Sequence, residues 1–282
     1  AARGPVEADP RRHRSRLSAV PRVRLPEPGV LATAEGAGRA LPEHGRCAPG
    51  DRARRRRGDA SPARRRHAAG EPAPLYIQAT GGTETTYTDG SKNYKVHTFT
   101  SSGTFTVNEI GNGERNYIDY LIIAGGGAGG GDRGGGGGAG GYRTTSGISG
   151  GNSTAENKIT VNTQTYGITV GAGGTGVNRD VGNNGSNSSA LGITSTGGGG
   201  GGKNSINAQN GGSGGGAGAF NSSFGTGITS QGLSGGAGDP NTGGSGGGGG
   251  ANQIGNTNGN GGNGLSNTLR NGTAETRAGG GG

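Results

Sequence analysis

The stretch DYLIIAGGGAGGG (119–131), followed at once by GGGGGAGGYR (134–143), decides how the rest of the chain is read. Tyr120–Ala124 belongs to the most apolar run in the sequence. It has the length and β-branched content of a buried strand, and it feeds straight into glycine. Further glycine runs follow at 197–202, 214–216, 246–250 and 279–282. Their spacing is not a strict Gly-X-Y repeat, which excludes a collagen triple helix. Glycine weakens a strand ladder and packs no side chain, so the runs are not strands either. A flexible linker is the competing reading. A linker would not carry apolar segments such as Tyr120–Ala124 and Tyr166–Val170 directly before glycine.

Composition points the same way. Glycine supplies 73 of 282 residues, apolar types only 26%, and Met and Trp are absent. An ordinary domain is roughly 45–50% apolar, so a core of side chains alone is too small here. The remaining ordered solution is polyglycine II, with three residues per turn and a rise of about 3.1 Å. Threads without Cβ atoms can lie side by side and pair through backbone N–H and C=O groups. Every buried group must then find a partner, because an orphan is costly. The expected fold is therefore mainly β. Short antiparallel strands over about 93–124 come first, and a bundle of polyglycine II helices follows.

Upstream of the first run, Tyr94–Thr100 and Thr104–Val107 flank Ser101-Ser102-Gly103 and read as a β-hairpin. Later strand candidates are Lys158–Asn162, Tyr166–Val170, Leu191–Thr196 and Gly227–Ser230. Residues 1–74 are different. They contain no Asn, Lys, Ile, Phe, Tyr or Gln, and they hold 17 Arg against 8 acids. Residues 75–282 balance 10 bases with 10 acids, so the whole +9 charge lies before the seam. That segment reads as disordered, and three origins stay open: a basic tail, an out-of-frame stretch, or a small folded domain. A nucleic-acid partner is an option for residues 1–74 alone. The last run ends on the last residue, which reads as a truncated lattice.

Catalytic chemistry finds little support. His97 is the one histidine after residue 75 and reads as a sheet-surface residue. Asp119 and Asp132 read as solvated acids. Cys47 stands alone, so neither a disulfide nor a zinc site of usual spacing is expected, and no cofactor or metal is implied. GGGGGGKN (197–204) misses the phosphate-loop pattern because Asn204 replaces the Ser or Thr that holds the metal. No apolar run reaches 18 residues, so no transmembrane helix is expected.

Several blocks, in order, resemble the glycine-rich domain of phage tail-fibre tip adhesins. They are YKVHTFTSSGTFTV (94–107), DYLIIAGGGAGGG (119–131), GGGGGAGGYR (134–143), YGITVGAGG (166–174), NGSNSSALGITSTGGGGGG (184–202), NGGSGGGAG (210–218) and GNGLSN (262–267). The resemblance covers about residues 76–282. It implies a polyglycine II bundle on a virion, without enzymatic activity, whose end loops meet a bacterial surface receptor (an outer-membrane protein or a glycan). Other tail-fibre proteins are implied as further partners. Three connectors carry polar and aromatic groups suited to such contact. They offer Tyr142 and Arg143, Lys203 and Ile206, and Phe220 and Phe224 as receptor-binding candidates. A secreted or cell-surface glycine-rich matrix protein, with no specific receptor, is the alternative.

Overall fold

In the computed structural model the described residues are 20–24, 76–111 and 115–282, all in the unit formed by residues 1–27 and 74–282. In the first half the strands are β1 Val20–Arg24, β2 Gln78–Thr80, β3 Thr83–Asp89, β4 Lys92–Thr98, β5 Gly103–Glu109 and β6 Tyr117–Ile123. Short strands follow: β7 Tyr142–Thr144, β8 Ile148–Ser149, β9 Ser153–Thr154, β10 Ile159–Thr160 and β11 Thr165–Ile168. The last are β12 Ser188–Ala190, β13 Ile193–Ser195, β14 Leu265–Asn267 and β15 Glu275–Arg277. The only helical element among the described residues is the short 3-10 turn Gly150–Asn152. The fold is thus mainly β and its paired strands are antiparallel, as expected. The segment expected to be disordered contributes β1, which lies between β4 and β6 in a six-stranded sheet. The rest of the expectation for residues 1–74, and Cys47 with it, lies outside the described residues.

The expected hairpin is not formed. β4 pairs with β3 across Gly90 and Ser91, whereas β5 pairs with β2 and β11 in a separate three-stranded sheet. Gly90 has φ +60, and glycine at the first turn position matches the twist of the flanking strands. Gly227–Ser230 is also not a strand. Gly227 makes one parallel bridge to Gly211, and the chain then turns.

β6 explains why residues 120–124 are so uniformly apolar. Ile118, Tyr120 and Ile122 enter one buried cluster with Phe99, Phe105, Val107, Val161 and Ile168. Leu121 and Ile123 enter a second with Val96, Tyr142, Leu265 and Leu269. A strand buried on both faces shows no alternation. Each such side chain contributes about 1.5–3 kcal/mol on burial. His97 corrects the surface reading. It is fully buried, edge-on to Phe105 at 5.1 Å, with Nδ1 2.8 Å from the Gly81 carbonyl. Gly81, at φ +119, brings that carbonyl close enough to serve as its partner.

Beyond β6 the core is backbone. The segment 124–131 donates to 134–141 at every third residue: Ala124 N–H to Gly141 O, Gly127 to Gly138 and Gly130 to Gly135, at 2.8–3.1 Å. The residues between point elsewhere, with Gly125, Ala128 and Gly131 donating to Ser186, Asn183 and Asp180. The segment 134–141 does the same. Gly135, Gly138 and Gly141 donate to Gly202, Gly199 and Thr196, while Gly136 and Ala139 donate to Gly246 and Gly249. A three-residue bonding period directs successive groups to different neighbours, so each thread joins several others.

This packing leaves no room for side chains. A Cβ built on Gly136 would run into the carbonyl of Gly281, and one on Gly199 into that of Gln209. Gly215 and Gly248 face the carbonyls of Gly200 and Gly137 in the same way. All of these approaches are far closer than the 3.0 Å that real Cβ atoms respect. Glycine is needed here for closeness, not for positive φ, since the positive-φ glycines lie outside the runs. Ordering so much glycine costs about 1–2 kcal/mol of backbone entropy per residue. Paired amides and the side-chain clusters at the strand end offset that cost.

Candidate functional site

Bond register sorts the connectors between threads into two ends. Gly130 donates to Gly135, so Asp132 and Arg133 lie beyond that level, away from β6. Gly131 donates to Asp180, which brings residues 176–180 to the same end. Gly202 donates to Gly216 and Ala219 to the Arg133 carbonyl, so Lys203–Ile206 and Phe220–Phe224 join them. Ala217 to Gly236 and Gly246 to Ala217 add the loop 239–244. Four of the six candidate residues are therefore displayed at one end of the lattice.

Their geometry is fixed from below. Lys203 and Ile206 exchange backbone bonds across a tight turn with Asn204 at φ +37. Ala208 N–H donates to the Ser223 carbonyl and Asn221 Nδ2 to Asn207 Oδ1 at 3.1 Å, which ties this turn to the next. Phe220 sits at φ +59, with the Arg133 guanidinium 5.7 Å above its ring. Its ring covers Gly243, where a Cβ would approach Phe220 Cζ at 2.6 Å. Asp239 closes the neighbouring loop, accepting from Asn241 N–H at 2.8 Å and Thr242 Oγ1 at 2.5 Å. The Thr242 hydroxyl bond, followed by the backbone bonds, holds its carboxyl below the usual range.

Large apolar side chains are left outward here among exposed polar ones, Arg133, Ser205 and Asn207 included. Ile206, Phe220 and Phe224 are 49%, 43% and 42% exposed. Sequence reading missed Arg133 at this end. Its signal was position: Asp132-Arg133 interrupts two glycine runs and must be a turn.

Tyr142 and Arg143 are at the other end. Gly141 pairs with Thr196 and Ala124, beside β6 and β13. Tyr142 is strand β7, opposite Ile123, and 0% exposed, so it is a core residue and not a surface contact. Burial pushes its hydroxyl up to about 12. Arg143 forms a two-pronged ion pair with Glu156, Nε to Oε1 at 2.8 Å and Nη2 to Oε2 at 2.7 Å. Nη1 donates to the Thr194 carbonyl, and the Tyr120 hydroxyl adds a 2.7 Å bond to Glu156 Oε2. Burial raises the Glu156 carboxyl, but the bonds from Arg143 and Tyr120 outweigh it and leave it below the ordinary range. This network is satisfied within the fold, and three of the Arg143 nitrogens are engaged in it.

Asp119 and Asp132 do not face each other. Asp119 binds Thr145 and Lys158 at the strand end, and Asp132 is a tip turn residue at φ +52. Among the described residues no group of three or more His, Cys, Asp or Glu is placed to hold a metal, and no helix is long and apolar enough to cross a membrane.

Among known families, the glycine-rich domain model matches residues 99–282, from the end of β4 through the last glycine run. No curated protein and no solved structure matches the chain.

Proposed function

The chain belongs to the glycine-rich domain family, and on that premise we propose that it is a rigid display module that binds a surface partner through one end of its thread lattice. The threads are read as polyglycine II helices. The three-residue bonding period and the confinement of positive φ to residues outside the runs support this reading. The carrying observation is that Ile206, Phe220 and Phe224 stand exposed on mutually bonded or lattice-tethered connectors at the same end. Large apolar and aromatic groups on short, tethered turns lose little freedom on binding, which favours affinity. Arg133 beside Phe220 adds an anchor type common in binding hot spots.

Combined with the resemblance to tip adhesins, this reading makes the protein a component of a phage tail-fibre tip. Its partner is then a bacterial outer-membrane protein or glycan, and the module works without catalysis or cofactor. The test titrates the labelled full chain onto intact cells of a panel of bacterial strains. Saturable binding to a subset is expected, with at least tenfold loss in the Ile206→Ser, Phe224→Ser double variant. Equal binding to every strain, or binding unchanged by the double variant, refutes the adhesin reading. The first of these results favours a glycine-rich matrix protein.

A further inference from the structure

One long strand of the large sheet has a partner on one side alone. β3 and β4 pair residue by residue from Thr83 with Thr98 to Asp89 with Lys92, without a shift of register. A two-residue loop closes on a pair that exchanges both its hydrogen bonds, which is here Asp89 and Lys92. Alternation along the ladder sets the rest. Thr83, Thr85, Tyr87 and Asp89 direct their backbone groups to β4, and Glu84, Thr86 and Thr88 direct theirs outward. β3 is the outermost strand of the sheet, and among the described residues no backbone group takes a bond from those three on the outer side. The other seven-residue strands, β4, β5 and β6, have partners on both sides.

Edge strands are normally kept short, bulged, or supplied with lysine or proline, which discourages pairing with other chains. β3 has none of these features. It runs for seven residues, TETTYTD, without a bulge, a lysine or a proline, and six of the seven are exposed. Four are threonine, a residue suited to strands. The Glu84 carboxylate is neutralised within the hairpin by Lys95 Nζ at 2.6 Å. We propose that β3 is a dimerisation edge, to which a second copy of the chain adds its own β3, antiparallel, across a two-fold axis.

A second copy is selected because β3 is complementary to itself in one register. With the axis at Thr86, that residue faces the partner's Thr86, and Glu84 faces the partner's Thr88. All three outward residues then exchange two bonds each with their opposites. Thr85 falls opposite the partner's Tyr87 and Thr83 opposite the partner's Asp89, so no like charges meet. Threonine with threonine, and an aromatic with a β-branched residue, are favoured cross-strand pairs. Moving the axis to Glu84 sets two carboxylates face to face, which is unfavourable. Moving it to Thr85, or toward the turn at Gly90, leaves fewer bonded pairs. A two-fold contact uses the same patch on both copies, and this edge meets that requirement without change.

The test uses the full chain. Sedimentation velocity over a series of concentrations should show a monomer giving way to a species of twice the mass. Amide hydrogen exchange, followed by NMR on the ¹⁵N-labelled chain, should slow about tenfold or more at Glu84, Thr86 and Thr88 as that species forms. Thr85 and Tyr87, bonded to β4 in both states, should stay unchanged. Thr88→Glu places a carboxylate opposite the partner's Glu84 twice in each dimer and should weaken association about threefold or more, whereas Thr88→Lys should strengthen it. Thr86→Pro removes the central outward donor and none toward β4, a placement that proline tolerates on an edge, and should leave only monomer. The proposal is overturned if the chain is monomeric at every concentration. It is also overturned by a dimer in which the Glu84, Thr86 and Thr88 amides exchange freely, which puts the contact elsewhere, or by equal effects of Thr88→Glu and Thr88→Lys. The wild-type data decide the matter even if the proline variant fails to fold.

Discussion

Gly199→Ala tests whether backbone closeness is what glycine supplies. The Gly199 N–H donates to Ser213 at 2.9 Å, and its carbonyl accepts from Gly138 at 2.8 Å. A methyl group there would collide with the Gln209 carbonyl, which itself accepts from Gly215, while the Gln209 N–H donates to Gly200. Relieving the collision means moving thread 197–202 away from residue 209, and at least two buried bonds are lost. At about 1–3 kcal/mol for each group left unsatisfied, the loss is roughly 2–6 kcal/mol. Alanine also restricts the unfolded chain, which returns about 0.4–1 kcal/mol. The net expectation is a destabilisation of roughly 1–5.5 kcal/mol, a large part of the 5–15 kcal/mol of an ordinary domain. Gly129→Ala is the control. Its methyl group meets nothing closer than 3.5 Å, so it should be neutral or stabilised by up to about 1 kcal/mol. Urea unfolding followed by tyrosine near-ultraviolet circular dichroism measures both. If Gly199→Ala unfolds within about 1 kcal/mol of the parent, or both variants lose equally, the packing argument fails.

Two other expectations concern solution thermodynamics. His97 is held neutral: burial lowers its pKa, against the opposing effects of the Gly81 carbonyl and of Glu84 at 3.9 Å, while Lys95 adds to the lowering. Its folded value lies below its unfolded value of about 6.5, so its stabilisation is complete above that pH and is lost as pH falls toward the folded value. Unfolding free energy measured between pH 7 and 5 should decline for the parent and decline less for His97→Phe; equal declines would remove His97 as the cause. Calorimetry should also give a heat-capacity increment below the usual ~12–15 cal/mol/K per residue unfolded, because lattice melting exposes polar amides that lower the increment. A normal value per unfolding residue would mean that side chains, not backbone, form the core.

Some of this was legible in the sequence. Tyr117–Ala124 was readable as a buried strand because apolar length without alternation has few other meanings. Lateral pairing of the runs was readable because glycine at this density has few other ordered uses. Partner choice was not readable. Nothing in the period of Tyr94–Thr100 says that it pairs backward with the polar, exposed Thr83–Asp89, although Asp89-Gly90 was a turn signal. The burial of His97 was invisible because its partner is a carbonyl that Gly81 brings in from outside the strand.

The placement of the site residues follows from a rule the sequence contained but composition alone does not show. A thread crosses the lattice once, so successive connectors alternate between ends. β6 enters at the strand end, so Asp132-Arg133, after the first crossing, is at the far end. Tyr142-Arg143, after the second, returns to β6 and is drawn into its sheet. The 197–202 run leaves β13 at the strand end and delivers Lys203–Ile206 to the far end. The short return at 208–211 and the climb at 213–219 then bring Phe220 there too. Counting crossings separates the buried tyrosine from the exposed phenylalanines, although both follow glycine runs and look alike locally. An insertion of one whole crossing would exchange the ends of every later connector. An insertion of three residues within a run would keep the bonding period and lengthen a single thread by one turn.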